Sequence, residues 1–157
     1  MASMTAEQAK AKALARFKEP GAEHINCGQA VLVYALYRLD EDPDLIAHAG
    51  YFGGGVAGLG EICGALNGSA LALGVRDMVL KEKGLEPPAT TKDELRAMLR
   101  DFEAAFGERT CRQLTGHDLS TPEGLTAFHM SDVYAKCADY VEWAIDRIEP
   151  LLAPALD

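Results

Sequence analysis

Apolar residues recur along this chain at the three- and four-residue intervals that are typical of amphipathic helices. The pattern is clearest over residues 31–39, 92–106 and 133–148. The short apolar run Val31–Tyr34 would also fit a buried strand. Asn26, a good helix cap, precedes that run, and the apolar pattern extends well beyond it, so both features favour a helix.

Helix-capping pairs, in which a capping residue is followed three positions later by a side chain that can bond back to it, recur through the sequence. Four pairs have this spacing: Thr5 with Gln8, Asn26 with Gln29, Thr91 with Glu94, and Thr110 with Gln113. Gly107 predicts the end of one helix, and the last long helix is predicted to begin near Ser131 and to stop before Pro150. We therefore expect an all-α fold, a compact single-domain bundle of about five to seven helices over residues 1–157.

A glycine-rich segment before residue 60 contains the spacing of a dinucleotide-binding fingerprint. Gly53, Gly55 and Gly58 form G-x-G-x-x-G, and Asp77 follows at a suitable distance. The fingerprint requires a strand before it, whereas residues 44–49 have a helical pattern. We expect a flexible connector between two helices rather than a nucleotide site.

A second glycine pattern places small residues every four positions. They are Gly60, Gly64, Gly68 and Ala72. On a helix beginning near Gly60 they would form a smooth ridge against which another backbone can pack closely. Glycine inside a helix costs roughly 0.5–1 kcal/mol relative to alanine, so three of them require a packing or functional reason. Close helix packing is one reason, and subunit packing in a homodimer is another.

Composition and charge narrow the possible partners. Of 157 residues, 48% are hydrophobic and 25% charged, which is typical of a globular protein. The net charge of −9 argues against nucleic acid as a partner, because phosphate binding requires clustered basic side chains. The sequence shows no run of about 18 apolar residues and no secretory leader, so we expect neither membrane insertion nor export but a cytoplasmic location.

The chain contains four cysteines: Cys27, Cys63, Cys111 and Cys137. In a reducing compartment, metal binding or redox chemistry is a commoner use of such a set than structural disulfides, although buried cysteines also serve as small apolar residues. No C-x-x-C pair is present, which argues against a zinc knuckle and excludes covalent attachment of a c-type haem.

Three of the cysteines fall at predicted helix N-termini. Cys27 and Cys111 each follow a capping residue, and Cys63 lies in the first turn of the helix expected near Gly60. The unpaired N–H groups at a helix start stabilise an anion, so these positions predict lowered thiol pKa values. Arg109 and Arg112 are expected to act on Cys111 in the same direction.

Cys137 differs because it lies within the last long helix, on its apolar face between Val133 and Val141. By itself it would be a core residue, and it gains a chemical role only as a fourth ligand from a fourth helix. The histidines are either surface residues or further ligands; they are His24, His48, His117 and His129.

Residues 63–68, Cys-Gly-Ala-Leu-Asn-Gly, resemble the C-G-A-x-x-G motif of the four-cysteine family named for its C_GCAxxG_C_C signature. The other matching segments, in order, are Asn26-Cys27, Phe52-Gly53-Gly54-Gly55, residues 111–116 and Cys137. The resemblance runs from about Asn26 to Ala144. It implies a small helical prokaryotic protein whose redox activity is inferred from its cysteines.

A related domain resembles the iron–sulfur part of split-Soret cytochrome c, which implies a [2Fe-2S] cluster. By this resemblance the ligand or redox role falls on the four cysteines. Gly64, Gly68 and Arg112 are expected to support the site. The chain has no haem-binding segment, so an electron donor or acceptor would have to be another, unidentified protein.

Three functions compete at this point. The first is electron transfer by an iron–sulfur cluster held by the four cysteines, which match the ligand count of one cluster. The second is a metal-free thiol-disulfide redox protein with two dithiol pairs. The third is a zinc-binding or scaffold protein. Whether the chain is an enzyme in the usual sense stays open.

Overall fold

A computed structural model describes residues 3–156, and Met1, Ala2 and Asp157 lie outside the described residues. The helices are α1 (Ala6–Lys18), α2 (Cys27–Leu39), a 3-10 helix (Pro43–Ala49), α3 (Gly64–Glu82), α4 (Thr91–Phe106), α5 (Cys111–Thr115), α6 (Pro122–His129) and α7 (Val133–Leu156). Residues 3–156 contain no β-strand, only a single bridge between Ile62 and Thr110. The all-α prediction is confirmed. Within these residues, no helix has both the length and the apolar composition of a membrane span.

Helix α2 forms the centre of the bundle. It packs against α1, α3, α7 and the 3-10 helix, and nearly all of its residues from Gly28 to Leu39 are buried. A helix surrounded in this way is apolar on every side rather than along one stripe. This explains why the run Val31–Tyr34 has a sequence pattern that also fits a buried strand.

The contact between α2 and α3 depends on glycine. A Cβ atom placed on Gly68 would lie 2.4 Å from the carbonyl oxygen of Gly28, so a side chain at residue 68 would force the two helices apart. Gly64, Gly68 and Ala72 are all buried. Close packing within the chain is therefore one function of this ridge, and the homodimer stays a prediction.

The prediction that α3 begins near Gly60 was wrong. The helix begins at Gly64 with Cys63 as its N-cap residue, and Gly60 adopts a left-handed φ of 77°. The backbone N–H of Gly60 donates to the carbonyl of Gly54 at 3.0 Å, which holds residue 60 in a loop rather than in a helical turn. Only the last three members of the four-residue glycine pattern belong to the ridge.

The prediction that the last helix stops before Pro150 was also wrong, since α7 continues to Leu156. Pro150 is exposed, so its missing N–H faces away from the core. Tertiary hydrogen bonds stabilise the extra turns: Arg76 Nη1 donates to the carbonyl of Leu151 at 2.9 Å, and Lys83 Nζ donates to that of Ala155 at 2.7 Å. Contacts with α3 thus outweigh the local signal to stop.

The predicted caps are mostly present. Thr5 and Asn26 form complete capping boxes at α1 and α2. At α5 the Thr110 hydroxyl accepts a hydrogen bond from the backbone N–H of Gln113. Thr91 was wrongly assigned, because its hydroxyl oxygen instead accepts a hydrogen bond from the buried Arg76 at 2.6 Å. A long-range partner has replaced the local one.

We expect Gly68→Ala to lower the free energy of unfolding by about 1–3 kcal/mol or more, because the new methyl group overlaps the backbone of α2. Gly74→Ala is the matched control on the same helix, where nothing lies within 4 Å of the added Cβ. That change is expected to stabilise the protein by roughly 0.5–1 kcal/mol. Urea unfolding measures both variants, and equal effects would contradict the packing described for Gly68.

Candidate functional site

The four cysteines come from four different helices and line one small cavity. Cys27 is the first residue of α2, Cys63 caps α3, Cys111 is the first residue of α5, and Cys137 lies inside α7. The cavity measures about 20 Å³ and is closed by neighbours that include Leu114, Thr115 and Tyr140. All four cysteines are free thiols. The structure thus brings together every cysteine singled out from the sequence.

Two backbone hydrogen bonds fix Cys63 beside Cys111. The N–H of Cys111 donates to the carbonyl of Glu61 at 2.7 Å, and the N–H of Cys63 donates to the carbonyl of Arg109 at 2.9 Å. These bonds join the segment before α3 to the segment before α5 in an antiparallel arrangement. Two helix starts, each bearing a cysteine, are therefore held side by side.

Gly64 creates the space that Cys27 occupies. A Cβ atom on Gly64 would lie 2.3 Å from Cys27 Sγ and 2.8 Å from the carbonyl oxygen of Phe52. No other amino acid fits at this position without displacing the sulfur or the backbone. Gly68 acts one turn later through the helix contact described above, so both glycines expected to support the site lie where they control its geometry.

Backbone N–H groups surround the sulfur of Cys27. Those of Gly28, Cys27 itself, Gly64 and Gly54 favour its thiolate form and so act to lower the pKa of this thiol. Gly54 belongs to the glycine-rich segment, which sequence analysis assigned only as a flexible connector. The segment does connect the 3-10 helix to α3, but it also packs on the thiols: a Cβ on Gly55 would lie 2.8 Å from Cys111 Cβ. The run of glycines just before Cys63 is the signal that indicates this role.

Arg109 and Arg112 do not act on Cys111 as expected. Their guanidinium groups pair with carboxylates, Arg109 with Glu103 at 2.8 Å and Arg112 with Asp118 at 3.1 Å. Neither arginine contributes to the pKa shift of Cys111. Arg112 contributes to the site through its backbone, whose N–H donates to a carbonyl of the glycine-rich loop at 3.1 Å.

The predicted lowering of the thiol pKa values was wrong, because all four are raised. Burial is the main cause in each case; it raises the pKa of Cys111 to about 11 and that of Cys137 to about 12. The pKa values of Cys27 and Cys63 are raised as well, that of Cys63 well above its ordinary range. Repulsion between neighbouring thiolates adds to the shift at Cys63, Cys111 and Cys137. Together these effects outweigh the helix N-termini, and the thiols are neutral at pH 7.

The four cysteines suit a two-iron cluster better than a single metal ion. Among residues 3–156, no three His, Cys, Asp or Glu side chains are grouped to hold one metal ion. A [2Fe-2S] cluster has a different requirement, since it takes four cysteines, two on each iron. The donor set, four thiols with backbone N–H groups around the sulfur of Cys27, fits that chemistry.

A larger pocket lies on the other side of three of these cysteines. It measures about 230 Å³, and Cys27, Cys111 and Cys137 line it together with mainly apolar and aromatic side chains. His24 and His129 also line it, whereas His48 and His117 do not. Sequence analysis did not identify this pocket, because its aromatic residues come from separate helices and share no local motif.

The raised pKa values predict a stability that falls at alkaline pH. Between about pH 8.5, the ordinary cysteine value, and pH 12, the folded protein retains thiol protons that the unfolded chain has released. The free energy of unfolding of the reduced, metal-free protein is therefore highest below this range and falls through it. Urea unfolding at several pH values measures the slope, which should be shallower in Cys137→Ser. Burial, and the Cys137 thiolate after it, also raise the pKa values of Tyr134 and Tyr140, so the substitution makes the slope shallower through these tyrosines as well. Equal slopes would contradict the raised pKa of Cys137.

The geometry of four converging thiols agrees with a comparison against known protein families. Among curated proteins and solved structures, none matches the chain. One family model matches residues 25–151, which is most of the chain, and its description states redox activity without naming a cofactor. The chain therefore belongs to the family described as "Putative redox-active protein (C_GCAxxG_C_C)".

Proposed function

We propose that the four cysteines form a single redox site and that this site holds a [2Fe-2S] cluster for electron transfer. The observation that carries the proposal is the convergence of four thiols, from four helices, on one cavity. Their number equals the ligand count of one such cluster. Family membership supports the redox role, and the choice of cofactor rests on the donor set.

The electrostatics of the site favour a metal centre over free thiol chemistry. Thiolates are disfavoured here by burial and by their neighbours, and Arg109 and Arg112 do not offset that cost. Bound iron would offset it, because coordination deprotonates a thiol outright. A buried neutral thiol is by contrast a poor nucleophile.

Each part of the site has a distinct task in this proposal. When bound, the cluster supplies one-electron transfer. The four cysteines would be its ligands, and the N–H groups of Gly28, Gly54 and Gly64, which favour the thiolate form of Cys27, would donate to that ligand sulfur. Hydrogen bonds of this kind raise the reduction potential of a cluster. A cavity needs roughly 10–15 Å³ to hold one water molecule, so the present cavity of about 20 Å³ has room for about one water and not for two irons and two sulfides. Loading therefore requires the side chains to move apart.

Electrons would have to come from a separate donor or go to a separate acceptor, because the sequence carries no haem-binding segment. The acidic surface, with a net charge of −9, would favour a basic face on a protein partner. A cytoplasmic location fits this proposal, since thiols stay reduced there.

A metal-free thiol-disulfide protein is the second candidate. The observation that favours it is the free state of all four cysteines, together with the absence, among the described residues, of a three-ligand group for one metal ion. Two pairs of thiols would then close reversibly into disulfides. The two candidates differ in iron content and in their response to oxidants.

Anaerobic reconstitution with iron and sulfide tests the leading proposal. We expect about two irons per chain and a visible absorption band from sulfur-to-iron charge transfer. Cys137→Ser should lose most of the iron, whereas Ala138→Ser, a change at the neighbouring position on α7, should keep it. If Cys137→Ser binds as much iron as the parent, the single-site proposal fails and Cys137 is a core residue.

Oxidation of the metal-free protein distinguishes the second candidate. Mass spectrometry with a thiol-alkylating reagent counts free cysteines before and after mild oxidation. Two disulfides that form and reduce reversibly, in a protein that takes up no iron, would support the thiol-disulfide function and contradict the cluster. Iron uptake that protects all four cysteines from alkylation is the result expected here.

A further inference from the structure

The outer pocket, defined by the residues lining the space of about 230 Å³, adjoins the sulfur site directly. Cys27, Cys111 and Cys137 line both the outer pocket and the inner cavity, whereas Cys63 lines the inner cavity alone. A molecule in the outer pocket would therefore lie in contact with three of the four cysteines. This arrangement suits a molecule that exchanges electrons with the site.

The lining of the outer pocket favours an uncharged molecule. Among the described residues that form it, none is Asp, Glu, Lys or Arg. Its apolar members include Phe17, Leu119, Leu125 and Phe128. A charged ligand would lose its hydration here without gaining an ion pair, which is costly.

Two groups of aromatic rings in the lining favour a planar molecule. Phe17 stacks with His24, with ring centres 6.2 Å apart. Phe128, His129 and Tyr134 form a second group, with centre distances of 5.3–5.4 Å. Aromatic side chains recognise flat rings through stacked and edge-to-face contacts.

Three polar groups are free to bind oxygen atoms on such a ring. In the part of the chain that the structure describes, the imidazoles of His24 and His129 and the hydroxyl of Tyr134 make no hydrogen bond to another protein group. All three side chains line the outer pocket. Each can donate a hydrogen bond to a carbonyl oxygen. Asn26, which also lines the pocket, is already occupied, since its amide donates to the carbonyl of Ala49 at 3.0 Å.

The size of the outer pocket limits the ligand to one or two rings. Pockets for drug-sized ligands usually measure roughly 300–1,000 Å³, and this pocket is smaller. We infer that the outer pocket binds the ring of a quinone, a neutral planar molecule with two carbonyl oxygens. The inference rests on the proposed redox function for its purpose, because a quinone becomes a hydroquinone by gaining two electrons and two protons. The site would pass the electrons one at a time, the separate donor protein would reduce it again after each, and the protons would come from solvent.

Binding of 2,3-dimethyl-1,4-naphthoquinone tests this inference by isothermal titration calorimetry. Both reactive ring positions of this compound carry methyl groups, so it does not add to thiols. Naphthalene, a flat ring without carbonyl oxygens, should bind about tenfold more weakly because it accepts no hydrogen bond from these polar groups. Equal binding of the two compounds would overturn the assignment to quinones.

Two matched variants locate the binding. Leu125→Trp fills the outer pocket and should weaken binding about tenfold or more, whereas Leu85→Trp changes an exposed leucine elsewhere and should leave binding unchanged. Tyr134→Phe removes one hydrogen-bond donor and should weaken binding about fivefold. If Leu125→Trp binds as tightly as Leu85→Trp, the ligand does not occupy this pocket and the inference fails.

Measuring the metal-free and iron-reconstituted proteins side by side separates this inference from the proposed function. Quinone binding without iron uptake supports the pocket and contradicts the cluster. Iron uptake without quinone binding to either form supports the cluster and overturns the inference. A tailed analogue, 2-methyl-3-prenyl-1,4-naphthoquinone, identifies the source: tighter binding of the tail indicates a membrane quinone, and equal binding a free one.

Discussion

The close approach of α2 and α3 is the constraint on which the rest of the molecule depends. Gly68 allows the two backbones to touch, and Gly64, one turn earlier, leaves room for the sulfur of Cys27. These contacts place the first residue of α2 beside the start of α3, where Cys63 lies. A side chain at either glycine would separate the two cysteines as well as the two helices, so packing and chemistry share one cause.

The charge balance at the thiols results from two opposing effects. Helix N-termini and N–H groups favour thiolates, but burial and the presence of neighbouring sulfurs disfavour them more strongly. A single cysteine at the start of an exposed helix would have a lowered pKa, because the helix N-terminus would act on it without burial or neighbouring sulfurs. Four cysteine thiols in one enclosed cavity stay protonated unless a positively charged group binds to them. The enclosure that brings the thiols together is thus the property that keeps them protonated.

Local signals in the sequence were sufficient for most of the helices and for the positions of the cysteines on them. Capping at Thr5 and Asn26 involves residues three positions apart, so the sequence contains the whole interaction. The errors arose where distant residues decide: Arg76 reaches α7 beyond Pro150 and takes the hydroxyl of Thr91. The prediction of lowered thiol pKa values was wrong for the same reason, because the burial of the thiols and the closeness of neighbouring sulfurs depend on how all the helices pack.

The four cysteines are not equivalent. Cys63 is buried and faces only the inner cavity, whereas the other three are partly exposed and also line the outer pocket. An external molecule therefore meets three sulfurs directly and influences the fourth only through them. Its N–H donates to the carbonyl of Arg109, and its carbonyl accepts from the N–H of Leu66, so the backbone of residue 63 is held on both sides. The bonds that join the segments before α3 and α5 hold Cys63 and Cys111 as a pair. Opening the site without breaking these bonds therefore means moving that pair relative to Cys27 on α2 or Cys137 on α7.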